Sequence, residues 1–174
     1  MLYRRRVTRA RVAALGYAYA VLGVVALALG SHHARAATAV FTLAAFSYLW
    51  FLGSLRSRII RFDPDGFFAS VVVLGGASFI ALQGAGLAAQ DVGLAAPGAG
   101  CAATVVIGSS LAALRARKVP KWFGRLGVAG GVAVLGVGVV EAAADWTLAD
   151  RTLWASSIGF MVWVVVTATY LLRR

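Results

Sequence analysis

The sequence predicts an all-α fold, a polytopic transmembrane helical bundle of six helices forming one membrane domain over residues 1–174. Hydrophobic residues make up 61% of the chain and charged residues only 13%, whereas soluble domains carry about 25% charged residues. Long apolar runs recur along the chain, and a bilayer core about 30 Å thick needs about 20 such residues to be crossed by a helix. All three prolines, Pro64, Pro97 and Pro120, fall between the runs, so no proline interrupts a predicted helix.

The six predicted spans follow from these runs. Five of them contain no charged residue, and they cover residues 12–30, 36–55, 66–90, 98–114 and 152–172. The fifth span in chain order, residues 122–144, includes Arg125 and Glu141 near its two ends, where charged side chains can reach the headgroups. A β-barrel is excluded because its strands would show alternating segments of about ten residues.

The distribution of Lys and Arg predicts the orientation of the bundle. Of the 17 such residues, all but Arg35 and Arg151 lie in the N-terminal tail, the 2–3 and 4–5 connections and the C-terminus. Basic residues are retained on the cytoplasmic side during insertion. We therefore predict a multi-pass protein of the bacterial inner, or cytoplasmic, membrane with both termini in the cytoplasm.

The most basic connection, between helices 4 and 5, carries five cations within the stretch LRARKVPKWFGRL. They are Arg115, Arg117, Lys118, Lys121 and Arg125. Their main predicted role is orientation, together with contact to anionic lipid headgroups, because cations near an anionic surface are attracted to it. A nucleic-acid partner is not expected, since these cations are divided among short loops rather than gathered on one basic surface.

The opposite side carries the residues that could form a chemical site. His32, His33, Glu141 and Asp145 lie there, and imidazoles and carboxylates can bind a divalent metal or relay protons. No motif with metal-ligand spacing is present, so solvated loop and helix-end positions are the favoured interpretation. We predict no catalytic residue, no metal and no cofactor, and Glu141 is the first functional candidate because it lies nearest the hydrocarbon.

The first apolar run also resembles a secretory signal. Five arginines precede it, and Ala34-Arg35-Ala36 follows as a candidate cleavage site with small residues. Cleaved signals have apolar cores of about 7 to 15 residues, and this run is longer. We therefore expect the first helix to be retained.

Small residues predict how the helices pack. Gly127 and Gly131 form a GxxxG pair in helix 5, and such pairs allow close approach of helix backbones in membranes. The pattern predicts that helix 5 is central and that Gly138 is a less critical position than Gly131. Polar residues within the spans are candidates to line a cavity or to join helices by hydrogen bonds: Tyr17, Tyr19, Gln83, Thr104, Trp163 and Thr167.

Four segments carry a resemblance to a known group of proteins. They read LWFLGSLRSR, the acidic linker DPDG, VVVLGGA and LRARKVPKWFGRLGVAGGVAVL. Within residues 45–140 the most distinctive part is the basic, Pro-containing entry to helix 5 from Arg117 to Gly127. This region resembles an uncharacterised family of six-helix actinobacterial integral membrane proteins. The resemblance implies the bundle and the basic loop, and it implies no site residues.

The function predicted from these observations is that of a structural or accessory membrane bundle without a specified molecular activity. A small-solute or proton-coupled permease is the first alternative. A membrane-embedded metal-dependent hydrolase, using the His and acidic residues opposite the basic side, is the second.

Overall fold

The computed structural model describes residues 2–63, 65–89, 97–116, 120–143 and 146–173. These residues form six α-helices, and a 3₁₀ turn at Gly30–His33 joins the first two. The helices are α1 (Leu2–Leu29), α2 (Ala34–Ile59), α3 (Phe67–Ala89), α4 (Pro97–Arg115), α5 (Lys121–Ala143) and α6 (Trp146–Arg173). The predicted all-helical fold with six helices is confirmed.

Five of the helices are long and apolar enough to cross a membrane. The spanning segments are Ala10–Leu29, Ala34–Ile59, Phe67–Ala89, Pro97–Arg115 and Lys121–Val140. In α6 the apolar segment among the described residues is the shorter Ser156–Tyr170. Helices α1 and α6 also begin earlier than their predicted spans. Their first turns include polar residues, which a prediction from hydropathy leaves out of a span. The chain therefore has the architecture of a multi-pass membrane protein.

Successive helices pack against each other in antiparallel pairs, and α6 returns to pack against α1. The hydroxyl groups of Tyr17 and Thr169 lie 2.7 Å apart and join the first helix to the last. A Cβ atom placed at Gly84 of α3 would lie 3.4 Å from the Phe41 ring of α2. Alternation through six helices brings the start of α1, the end of α6 and the 2–3 and 4–5 connections to one end of the bundle.

An aromatic cluster fills the space between α1, α2, α3 and α6. Tyr19, Tyr48 and Phe160 are fully buried, and Phe79 is 2% exposed. The ring centroids of Phe79 and Phe160 are 4.6 Å apart, and those of Tyr19 and Tyr48 are 4.9 Å apart. Aromatic pairs at these separations attract each other beyond simple area burial. The cluster packs these four helices against one another.

Helix α5 lies at the periphery of the bundle, so the prediction that it is central was wrong. Only 17% of its spanning segment is buried, against 56% for α4. The physical reason is that small residues occupy two faces of α4, which therefore fits closely between α3 and α5. Its buried small residues are Gly98, Ala99, Ala102, Ala103, Gly108, Ser109, Ser110 and Ala112. The closely packed glycines of α5 all face a single neighbour.

That neighbour is α4, against which four glycines of α5 are placed without room for a side chain. A Cβ atom at Gly131 would lie 2.5 Å from Ile107 Cγ1 and 3.3 Å from the backbone oxygen of Ala103. Cβ atoms at Gly124 and Gly127 would meet Leu114 and Ser110 in the same way.

Gly138 belongs to this same interface, since its Cβ would lie 2.5 Å from that of Ala99. The expectation that Gly138 tolerates a large side chain better than Gly131 therefore loses its basis. Gly130 and Gly136, by contrast, would meet nothing within 4 Å. These two glycines are the positions on α5 with open space.

The α2–α3 and α4–α5 hairpins share one packing register. In each, the second residue of a Gly-Gly pair faces the preceding helix at the same sequence separation. A Cβ atom placed at Gly76 would lie 2.6 Å from Leu52, and one placed at Gly131 would lie 2.5 Å from Ile107. Close backbone approach is the means by which such helices associate in lipid. The two hairpins are therefore built on the same contact.

Candidate functional site

One end of the bundle collects most of the cations that the structure describes. Six of them have exposed side chains at this end: Arg11, Arg56, Arg61, Arg115, Lys121 and Arg125. Arg117 and Lys118 of the predicted lipid-contact group lie outside the described residues. We call this end, defined by the six exposed cations, the basic end. Arg35, at the start of α2, is exposed at the opposite end.

Two large aromatic side chains are exposed beside the basic end. Trp122 and Phe67, in the first turns of α5 and α3, are each 63% exposed. Tryptophan is enriched where a spanning helix meets the headgroups, because its ring has an apolar body and a polar N–H. Lys121 precedes Trp122, so a cation and an interfacial ring are presented together.

The basic end also contains a buried carboxylate that the sequence analysis did not single out. Asp63 is 1% exposed, and its Oδ2 accepts a hydrogen bond of 3.1 Å from the backbone N–H of Ala69 in the first turn of α3. A carboxylate is stabilised there because the first N–H groups of a helix lack partners within it. The Asp-Pro-Asp-Gly sequence directly before α3 is the signal that could have identified this cap.

The residues proposed for chemistry on the opposite side are not brought together in the described part of the protein. His33 is exposed in the 3₁₀ turn. The side chains of His32 and Glu141, and the whole of Asp145, lie outside what the structure describes. Among the described residues no three His, Cys, Asp or Glu side chains form a group that could hold a metal. A metal or proton-relay role for these four residues stays a prediction.

A cavity of about 40 Å³ lies between α1, α2, α3 and α6, in the half of the bundle away from the basic end. Most of its lining is apolar, with Gly23, Phe41 and Met161 among the contributing residues. Three of the lining residues, Tyr19, Gln83 and Ser157, have polar side chains. The cavity is therefore small and partly open, with three polar residues among a mostly apolar lining.

The structure separates the polar residues predicted within the spans into two groups. Tyr19 and Gln83 line the cavity. Tyr17 instead bonds to Thr169, and Thr104 donates to the backbone oxygen of Gly100 on its own helix. Sequence alone could not separate these groups, because the direction of each side chain depends on which helices are neighbours.

Comparison of the chain with protein families, with curated proteins and with solved structures finds no match. The resemblance to the six-helix actinobacterial family therefore stays a prediction.

Proposed function

We propose that the protein is a structural or accessory bundle of a bacterial cytoplasmic membrane, and that its basic end lies in the cytoplasm and binds anionic lipid headgroups. The observation that carries this proposal is the separation of charge between the two ends of the bundle. Helix alternation gathers cations from α1, α2, α4 and α5 at one end, although they are far apart in sequence.

Two physical effects favour this role for the basic end. Lys and Arg close to a span hold the loop that carries them on the cytoplasmic side. The inner surface of the membrane is itself negative, and each nearby cation gains about 1 kcal/mol from it. Exposed cations beside the interfacial Trp122 therefore favour contact with acidic headgroups over a role in protein packing.

The test uses a triple variant of the 4–5 connection, Arg115→Gln, Lys121→Gln and Arg125→Gln. In mixed bilayers, spin-labelled phosphatidylglycerol should be enriched around the unmodified protein relative to phosphatidylcholine. The triple variant should reduce this selectivity several-fold. Each of the three cations contributes at most about 1 kcal/mol of attraction to the anionic surface, and the variant removes all three. Raised salt should weaken the selectivity of the unmodified protein through screening.

Arg35→Gln is the matched control, since it removes an exposed cation from the opposite end. With the spin-labelled lipid in the leaflet at the basic end, this variant should keep the full preference for the anionic lipid. Unchanged selectivity in the triple variant would contradict lipid binding by the 4–5 connection.

A small-solute permease is a second candidate, and the cavity lined by Tyr19, Gln83 and Ser157 is the observation that favours it. Solute sites of transporters lie between helices near the middle of the membrane. Uptake of a solute into proteoliposomes driven by a proton gradient would replace the accessory role with this one.

A further inference from the structure

Two exposed aromatic rings at the basic end occupy equivalent positions in the α2–α3 and α4–α5 hairpins. Phe67 and Trp122 each lie nine residues before the second glycine of a Gly-Gly pair, and each is 63% exposed. The Phe67 and Phe68 rings pack edge to face with their centroids 5.4 Å apart. The Trp122 and Phe123 rings do the same at 5.9 Å. The starts of α3 and α5 therefore present the same aromatic pair.

Contacts with α4 place the two exposed rings at nearly the same height in the bundle. A Cβ atom at Gly108 of α4 would lie 3.3 Å from Val72 of α3, and one at Gly127 of α5 would meet the side chain of Ser110 of α4. Val72 and Gly127 each lie five residues after the exposed ring of their own helix. Gly108 and Ser110 are two residues apart, which is about 3 Å along a helix axis. The heights of the two rings therefore differ by about that distance.

Charged side chains beside each ring oppose its deeper entry into a membrane. Exposed Arg61 and Asp65 precede the first ring, and exposed Lys121 and Arg125 flank the second. Removal of the rings from water is favourable, whereas transfer of the charged groups into hydrocarbon is costly. Each connection is therefore most stable at one depth, with its ring at the edge of the hydrocarbon and its charges among the headgroups.

We propose that Phe67 and Trp122 form a pair of anchors that insert into the phospholipid surface at one depth and so hold the bundle at a fixed depth and tilt. This role rests on the proposed function only in placing the basic end at a membrane surface. The anchors act through their apolar ring area, so they do not require anionic lipid. They should therefore work equally in a bilayer of phosphatidylcholine alone.

The experiment measures depth with spin labels placed two helical turns inside each ring. Leu74 and Ala129 are exposed and lie seven residues after Phe67 and Trp122. Because Cys101 is the only cysteine, Cys101→Ser allows a single label at Leu74→Cys or at Ala129→Cys in the full chain. Relative accessibility to oxygen and to a water-soluble nickel complex, in phosphatidylcholine bilayers, gives the depth of each label. The two labels should lie at depths that differ by about 3 Å.

Phe67→Ala and Trp122→Ala then remove one anchor at a time. Each should tilt the bundle, so the difference in depth between the two labels should move away from about 3 Å, in opposite directions in the two variants. Phe46→Ala is the matched control, because Phe46 is 62% exposed on the outer surface of α2 away from the basic end. This variant should leave both depths unchanged.

Two results would overturn the proposal. One is a difference in depth of more than one helical turn, about 5.4 Å, between the labels in the protein with both rings. The other is an unchanged pair of depths in either Phe67→Ala or Trp122→Ala. Both measurements use phosphatidylcholine alone, so they can fail while the preference of the basic end for phosphatidylglycerol holds, and the reverse.

Discussion

Gly131→Leu should destabilise the bundle strongly, because the α4–α5 interface has no room for a side chain at that position. Even a Cβ atom would lie 2.5 Å from Ile107 Cγ1 and 3.3 Å from the backbone oxygen of Ala103. The side chain of Ile107 can turn away, but the backbone of Ala103 can move only with α4 itself. Overpacking of this kind costs about 1–3 kcal/mol, so Tm in detergent should fall by about 2–12 °C.

Gly130→Leu is the matched control for this prediction. It adds the same side chain to the same helix one residue earlier, where nothing lies within 4 Å of the new Cβ. The two substitutions change helix propensity and overall hydropathy equally, so their difference isolates the contact with α4. Equal Tm values for the two variants would show that α5 does not pack through its Gly131 face.

Phe160→Ala should have an effect of similar or larger size in the aromatic core. Phe160 is fully buried, and its ring lies within 6.2 Å, centroid to centroid, of Tyr19, Tyr48, Phe79 and Trp163. Truncation of a buried Phe costs about 3–5 kcal/mol in soluble proteins through transfer and cavity terms. Lipid is as apolar as the core, so we expect about 2–4 kcal/mol, arising from the cavity and the lost ring contacts.

Phe46→Ala is the corresponding control on the outer surface of α2, where the Phe46 side chain is 62% exposed. Its replacement leaves no enclosed cavity because lipid fills the space. The free energy of unfolding in bilayer nanodiscs should change by less than about 1 kcal/mol. A loss of stability in Phe46→Ala as large as that in Phe160→Ala would contradict the assignment of core and surface.

The helices of this protein could be predicted from sequence, because each is long, apolar and bounded by charges, prolines or small polar segments. Burial could not be predicted in the same way. In a soluble helix the apolar stripe marks the inner face, but here lipid-facing and protein-facing positions are both apolar. Leu126 and Val139 are more than 60% exposed, and their residue types do not distinguish them from buried Val134.

The packing contacts of individual glycines could not be predicted from sequence either. Gly130 and Gly131 are adjacent in sequence, and only Gly131 contacts the neighbouring helix. The GxxxG spacing correctly indicates a face for close approach, yet it does not specify how many neighbours that face meets. Helix α4 is the most buried span because small residues on two of its faces allow two close neighbours. Whether a helix has two such neighbours depends on the arrangement of all six helices.

The cavity also depends on tertiary contacts, whereas the Asp63 cap is a local contact of unusual spacing. Tyr19 and Gln83 were among the polar residues named from sequence, but so were Tyr17 and Thr104, which bond elsewhere. Asp63 accepts its hydrogen bond from the N–H of Ala69, six positions later in the chain. The usual capping patterns span only about two or three positions.

Reporter fusions at successive connections test the cytoplasmic orientation of the basic end most directly. Reporters fused after residues 33, 93 and 148 should be outside the cytoplasm, and those fused after residues 119 and 174 should be inside. The fusion after residue 119 matters most, because it lies in the connection that carries Arg115 and Lys121. An external reporter at residue 119 would contradict both the cytoplasmic location of the basic end and its proposed contact with the lipids of the inner surface.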